Sequence, residues 1–332
     1  MIVTGGTGFL GRHLVWRLAD AGHDVVFSGR DAGKAREVMS RASQPVAFAA
    51  LSHGSNNATA TLKRAAAGAD AIVHCAGLSS PWGRRADFRK ANVRSTEEVL
   101  ATMQTNGVAR LVYISTPSLY FQFRDCLAVC EDEPLPPPVN DYAATKGEAE
   151  RLVRAARVPS VILRPRGIFG AWDETLLPRL LRLLRRDRFP LFNGGDALID
   201  LTHVDNVVDA IELALALPNP IGETFNVSNG QPRRAADLFS ELAHTFGQPW
   251  RPRHVPLTAG LAFARACEFA GRIARGWEPP ITRYSLGTVA FSLTLDLRHA
   301  RTRLGYVPRV DLDDGIALTA AWMRARSQGW SC

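Results

Sequence analysis

The sequence predicts an α/β protein, a doubly wound parallel sheet with a smaller C-terminal lobe, and three observations carry that expectation. Short β-branched runs alternate with longer helix-like segments through the first half. A glycine-rich turn joins the first run directly to the first helical pattern. After Pro165 the alternation weakens, and prolines and arginines punctuate longer helical patterns. Taken in order, the predicted strands are Ile2–Thr4, Asp24–Ser28, Val46–Ala50, Ala71–Cys75, Leu111–Ser115 and Val161–Arg164. The predicted helices lie near 9–21, 32–42, 58–67, 85–106 and 142–156. Glu131–Asn140 holds Pro134 and Pro136–Pro138, cannot be helix interior, and reads as a loop delivering the chain to Asp141 and Tyr142. Ala197–Leu215 reads as a strand and helix returning to the first domain, with Leu201–Val204 running into a helical Val207–Leu217. Residues 1–165, with about 197–217, then form one domain, and 166–196 with 218–330 the smaller lobe.

The 332 residues, 46% of them hydrophobic, suffice for a large core and argue against disorder. Met1 leads straight into an apolar strand without a basic, then apolar, leader, so a cytoplasmic location is expected. Five cysteines (Cys75, Cys126, Cys130, Cys267, Cys332) contain no CxxC pair, which suggests neither a disulfide framework nor a metal site and leaves reduced thiols. The net charge of +8 is spread along the chain, so it reads as solvated surface rather than a nucleic-acid footprint. Lys occurs only at 34, 63, 90 and 146, which makes each one informative, because an ammonium can change protonation where a guanidinium does not.

Thr4–Gly11 reads Thr-Gly-Gly-Thr-Gly-Phe-Leu-Gly after the first strand and opens an amphipathic helix. Gly5, Gly8 and Gly11 allow a tight turn, backbone approach to phosphate and close helix–strand packing, while the helix N-terminus offers N–H groups to a pyrophosphate. The expected fold is therefore a Rossmann-type sheet binding a nicotinamide dinucleotide. About twenty residues further on, where an NAD site carries an acid, the chain reads Phe27-Ser-Gly-Arg30. No carboxylate there repels a 2′-phosphate, and Arg30 can pair with one, which favours NADP while leaving NAD open. Arg30 as a plain solvated helix-start residue is the alternative.

The chemical centre of such a sheet lies at the strands' C-terminal ends. The fifth strand ends Tyr113-Ile-Ser-Thr-Pro-Ser118, and Tyr142-Ala-Ala-Thr-Lys146 opens a helix. Residues i and i+4 share a helix face, so phenol and ammonium can point into one cleft. There Lys146 is expected to lower the Tyr142 pKa and hold the cofactor ribose, with Thr116 or Ser115 hydrogen-bonding the reacting oxygen. A surface pair is the plain alternative.

With these motifs, Val73-His-Cys-Ala-Gly77, Asn92, Leu163-Arg-Pro-Arg-Gly-Ile-Phe-Gly170 and Thr202-His-Val-Asp-Asn206, the chain resembles an extended short-chain dehydrogenase/reductase of the epimerase/dehydratase superfamily over nearly its whole length. Ser115–Ser118, Arg164–Arg166, Pro279–Arg283 and Leu304–Pro308 are most similar to the branch with 3β-hydroxysteroid dehydrogenases and 2-alkyl-3-oxoalkanoate reductases. The resemblance implies Thr116, Tyr142 and Lys146 as catalytic residues. It implies Gly5, Thr7, Gly8, Phe9, Leu10, Gly11, Ser28, Arg30, Cys75, Ala76, Gly77, Tyr142, Lys146, Pro165 and Ile168 as cofactor-binding positions. Three positions depart from the pattern. Ala49–His53 lacks the usual acid near adenine, Gly167 stands where sugar-nucleotide epimerases carry Asn, and Thr116 replaces the usual Ser.

In Leu257–Arg275, Arg265, Glu268, Arg272 and Arg275 recur at helical spacing and leave an apolar face that needs cover, from core, a substrate lid or a shallow membrane contact. Charges rule out a spanning helix there. Leu176–Arg188 is similarly basic and amphipathic, its Arg face read as solvated. His74 reads as a hydrogen-bonded core residue, Asp205 and Asn206 as structural at a helix start, and Trp82, Phe121 and Trp172 as pocket lining or lobe packing. The expected activity is hydride transfer between NADP, or NAD, and an apolar ketone or secondary alcohol, with a homodimer left open. A sugar-nucleotide epimerase or dehydratase with tightly held NAD is the second reading, and a non-catalytic NADP sensor the third.

Overall fold

Ile2 and Val3 sit side by side in the first strand yet belong to different apolar clusters, and that alternation builds the whole first half. In the computed structural model, which describes residues 1–185, 189–274 and 277–328, seven parallel strands form the main sheet. They are β1 (Ile2–Thr4), β2 (Val26–Gly29), β3 (Ala47–Ala50), β4 (Ala71–His74), β5 (Arg110–Ile114), β6 (Ser160–Pro165) and β7 (Ile221–Val227). Their spatial order is β7-β6-β5-β4-β1-β2-β3. The order reverses beside β1, which opens a crevice at the strands' C-terminal ends.

One face buries Val3, Phe27, Val73, Val112 and Leu163 under α1 (Phe9–Asp20) and α2 (Ala32–Arg41). The other buries Ile2, Ile72, Leu111 and Ile162 under α3 (Ala58–Ala65) and the helices that follow. Each such side chain, fully buried, contributes about 1.5–3 kcal/mol. The predicted helix 85–106 forms, as Arg85–Phe88, a π-helical Arg89–Arg94 and Ser95–Asn106 in unbroken succession, here α4. α5 spans Asp141–Ala155, capped by the Asn140 side chain on the Ala143 N–H at 2.8 Å.

Beyond β6 come α6 (Leu176–Leu184), α7 (Val204–Ala216), α8 (Ala235–Thr245), α9 (Leu257–Ile273), α10 (Arg283–Ala290) and α11 (Leu312–Gln328). α7 packs on the α1 face of the sheet. Its preceding strand does not enter the sheet. Thr202–His203 pairs with Ile168–Phe169 in a separate ribbon, and the sheet's last strand is β7, a segment with no predicted strand, aligned on β6 from Ser160 to Pro165.

The α9 expectation needs correcting. Glu268 faces inward, where it accepts from the Arg283 N–H at 2.7 Å and Nε at 2.8 Å, while Phe263, Phe269 and Ile273 lie 60–68% exposed. The helix thus turns much of its apolar face outward, flanked by exposed Arg265 and Arg272. Arg275, the Arg186–Arg188 end of the basic segment and Cys332 lie outside the described residues. No described helix is long and apolar enough to cross a membrane.

Candidate active site

The glycine turn has the shape the sequence asks for. Gly5 takes φ +70°, and a Cβ there would meet the Ala76 backbone at 2.8 Å, while at Gly11 it would strike the Gly5 carbonyl oxygen at 2.2 Å. At Gly8 a Cβ meets nothing nearer than 3.1 Å, but that residue caps α1 without a side-chain hydrogen bond, so the first N–H groups of the helix stay free for an anion. Arg12, unmarked in the sequence, is buried beneath the turn and holds it by donating to the Thr7 carbonyl at 3.0 Å. Leu10 points into the core, leaving only its backbone toward a phosphate, and Phe9 is half-buried. Ser28 is buried with its hydroxyl unpartnered, and Arg30 is exposed at the end of β2. Gly29, beside it, must lack a side chain because a Cβ would lie 2.3 Å from the Thr7 hydroxyl.

The β4 end runs on through Cys75, Ala76 and Gly77. Asn92, in the π-helical turn, accepts from the Leu78 N–H at 2.8 Å and donates to the Thr145 hydroxyl at 3.0 Å, so it ties this loop to α5. Burial pushes the Cys75 thiol up to about 12, which keeps it protonated and unreactive.

Tyr142 opens α5, half-buried, with Ser79 and Thr116 as hydroxyl neighbours. Burial raises its pKa, and those two hydroxyls partly oppose the rise. The expectation that Lys146 lowers it does not hold in this structure. The Lys146 ammonium lies over the Tyr113 ring and donates to the Ile114 carbonyl at 2.5 Å, and burial brings its pKa down to about 7 despite Glu150 and Cys75 nearby. Ser115 is also corrected: it turns away from the cleft and donates to Glu150.

Behind the site, Glu150 accepts from Arg164 at 2.7 and 2.9 Å and from Arg154 at 2.9 Å. Arg164 also donates to the Tyr120 hydroxyl, which in turn donates to Asn226 of β7 at 2.9 Å. This buried network joins α5, β6 and β7 behind the catalytic candidates.

In front, Thr116 donates to the Ser118 hydroxyl at 2.9 Å, and the Ser118 and Tyr284 hydroxyls lie 2.5 Å apart. Tyr284, from α10, rests edge-on against Phe121, which is itself buried. Sequence reasoning missed Ser79, Ser118 and Tyr284, and only the nearness of Tyr284 to the quoted Pro279–Arg283 stretch signalled it. Pro165 is buried, and Ile168 is half-buried beside Thr202. Gly167 takes φ +51°, and a Cβ there would lie 2.7 Å from Leu201 Cδ2 and 3.3 Å from the Asp200 carbonyl oxygen, so a larger residue would have to push the Leu201 side chain aside.

The remaining candidates are structural. His74 is buried between Thr4, at 2.6 Å, and Ser95 and Thr96, with its pKa pushed well down by burial. Asn206 bridges Asn229 and the backbone of Arg309 and Val310. The cap of α7 is His203, with Asp205 in the first turn. Trp172 is buried under Arg12, Arg41 and Arg326, and Trp82 packs against Gly271 of α9.

Known proteins share this architecture. A ketoreductase of Stigmatella aurantiaca acting on a 4-hydroxy-2-methyl-3-oxo-4-farnesyl-3,4-dihydroquinoline-1-oxide is 35% identical over 319 residues, covering 95% of this chain and 93% of its own. The 2-alkyl-3-oxoalkanoate reductase of Stenotrophomonas maltophilia is 31% identical over 332 residues, covering 95% and 97%. The crystal structure of a dTDP-glucose 4,6-dehydratase of Streptomyces venezuelae with NAD bound superposes with a TM-score of 0.76 at 26% identity, over 99% of this chain and 98% of that one. A sequence profile of the NAD dependent epimerase/dehydratase family matches residues 1–228. With its glycine turn, its seven-stranded sheet and these relatives, the chain belongs to that family, the extended short-chain dehydrogenase/reductases, and is a nicotinamide-dependent enzyme.

Proposed function

We propose that this enzyme is an NADP-preferring oxidoreductase of apolar ketones or secondary alcohols, of the 3-oxoalkanoate or 3β-hydroxysteroid kind. The observation that carries this reading is the Tyr142 phenol beside the Thr116 and Ser79 hydroxyls, one helical turn from Lys146, at the sheet's C-terminal end. When bound, the nicotinamide supplies or accepts the hydride. Gly5, Thr7, Gly8, Gly11 and the first turn of α1 hold the pyrophosphate. Cys75, Ala76, Gly77, Pro165 and Ile168 line the rest of the cofactor's path, and Ser28 and Arg30 take the 2′-phosphate.

The chain's own residues then handle oxygen and proton. Thr116 turns its hydroxyl proton from Ser118 to the substrate oxygen and fixes it beside Tyr142. Tyr142 gives its proton to that oxygen as the carbonyl is reduced, or takes one as the alcohol is oxidised. The half-buried phenol is raised above its ordinary range, so it stays protonated at neutral pH, as reduction requires. Lys146 turns from the Ile114 carbonyl to the ribose, and residues 1–165 with about 197–217 form the cofactor-binding domain, with 166–196 and 218–330 the substrate lobe. Gly at 167, where sugar-nucleotide epimerases carry Asn, supports this reading over sugar-nucleotide epimerisation.

The test is to purify the protein without added cofactor, denature it and identify released nucleotide, then titrate NADPH and NADH. Little released nucleotide, tighter NADPH binding that Arg30→Ala weakens, and NADPH oxidation by medium-chain ketones are expected. Stoichiometric NAD in the released fraction would overturn the reading.

A further inference from the structure

Helix α9 turns an apolar stripe to solvent. Phe263, Phe269 and Ile273, each at least 60% exposed, lie three or four residues from exposed Ala262, Ala266 or Ala270, so the six share one side of the helix. Trp277, 43% exposed, follows them. Arg265 and Arg272, two turns apart and both exposed, run along the border of the stripe. The one acid of α9, Glu268, faces inward to Arg283 at 2.8 Å. Glu278, beyond the helix, meets Arg179 at 3.2 Å, which draws basic α6, with exposed Arg182, up to this region. The inner side of α9 is already occupied. Ala264 packs with Leu286 and Ala290 of α10, and a Cβ at Gly271 would lie 2.9 Å from Trp82 and 2.8 Å from Pro279. The stripe therefore faces away from the cleft and is not a lid folded over it.

We propose that this face docks on an anionic lipid surface, with Phe263, Phe269, Ile273 and Trp277 dipping into the boundary between headgroups and acyl chains and with Arg265 and Arg272 meeting lipid phosphates. Charge complementarity selects this occupant. The chain carries a net charge of +8, and the border of the stripe holds arginines with no acid turned outward among them. A helix with aromatic and aliphatic side chains on one side and arginines on its flank suits the plane of a membrane interface, where the rings settle at headgroup depth. The arginine stems lie along the apolar surface while their heads reach the phosphates. A second copy of the chain fits less well. Twofold pairing through this face would set arginines against arginines with no outward acid to answer them. The four large side chains also expose only on the order of 500 Å², taking about 150–250 Å² for a ring, against roughly 800 Å² per partner in a stable protein interface. Contact is shallow, since no described helix is long and apolar enough to cross a bilayer. Because α10 carries Tyr284 and Trp82 follows β4, the docked helix stands one layer from the cleft, whatever the enzyme reduces there.

The test is co-sedimentation of the full chain with vesicles of phosphatidylcholine alone or of phosphatidylcholine mixed with phosphatidylglycerol. The mixed vesicles are expected to hold the protein about tenfold or more tightly than phosphatidylcholine, and concentrated salt to abolish that excess. Phe263→Ser combined with Phe269→Ser is expected to weaken binding to the mixed vesicles about tenfold or more, because both rings leave the boundary. Arg265→Gln combined with Arg272→Gln is expected to weaken it by about tenfold to thirtyfold, down to the level of phosphatidylcholine. All four positions are exposed, so melting temperatures are expected to stay at the unaltered value. No retention by the mixed vesicles, equal retention by the two lipids, or retention that survives the paired Phe changes overturns the proposal. So does a dimer in analytical ultracentrifugation that the paired Phe changes dissociate, because a second copy then covers the stripe. If one pair does not fold, the other decides by the same criterion.

Discussion

Arg164 and Arg166 leave the end of one strand two residues apart and meet opposite fates. Arg164, 1% exposed, is saturated by Glu150, Tyr120 and the Glu131 carbonyl, and these bonds raise its pKa further above the ordinary arginine value. Arg166, almost as buried, makes no side-chain hydrogen bond to a described residue, and burial lowers its pKa despite Tyr284 and Asp200 nearby. The rear of the site is tied together by charge-assisted hydrogen bonds, while the front keeps a buried cation without them. One wall therefore adds to stability, and the other carries the cost of a desolvated guanidinium.

The largest test of that contrast is thermodynamic. Glu150→Ala strips Arg164 of its main counter-charge and is expected to lower the unfolding free energy by about 3–5 kcal/mol, read from urea midpoints. Arg166→Gln is expected to leave those midpoints unchanged or raised, and an equal loss in both variants would erase the distinction. Next, Tyr142→Phe keeps the ring and removes the proton, so kcat is expected to fall about 10²–10³-fold with no change in melting temperature. A fall in both would make Tyr142 part of the rear wall.

Lys146 sharpens the comparison through pH. Its folded pKa of about 7 lies below the ordinary lysine value of about 10.4. Between those values the unfolded chain holds more protons, so stability from this group rises with pH across that window and is level on either side. Relative to Lys146→Met, the unaltered protein is expected to gain stability from pH 7.5 to 9.5, measured as the difference in urea midpoints. A flat difference would mean that the ammonium is not desolvated. The smallest effect belongs to the outward face of α9. Phe269, 66% exposed, is expected to change stability by less than about 0.5 kcal/mol when replaced by Ser.

What could be read from the sequence followed how local its cause was. Gly5 and Gly11 are required by atoms within a few residues or by the neighbouring strand, so the turn declares itself. The Tyr142–Lys146 spacing is one helical turn, and the first six sheet strands carry their own alternating pattern. β7 escaped because Ile221, Gly222 and Glu223 begin it at the open surface, and the register slips there. The front wall escaped for a different reason. Ser118 and Tyr284 are 166 residues apart and meet only in the folded chain. Glu268 was read onto the charged face of α9 because its partner, Arg283, belongs to another helix.

The late arrival of β7 also bears on how the protein is made. Until residue 227 has emerged from a ribosome, β6 has only one neighbour, β5, and its other edge of backbone N–H and C=O groups is open. Some 62 residues after Pro165, with α6 and α7 among them, must be synthesised before that edge is covered. An exposed strand edge recruits foreign strands. A fragment ending near residue 165 would thus expose the edge permanently, and the nascent chain passes through the same aggregation-prone interval on its way to the finished sheet.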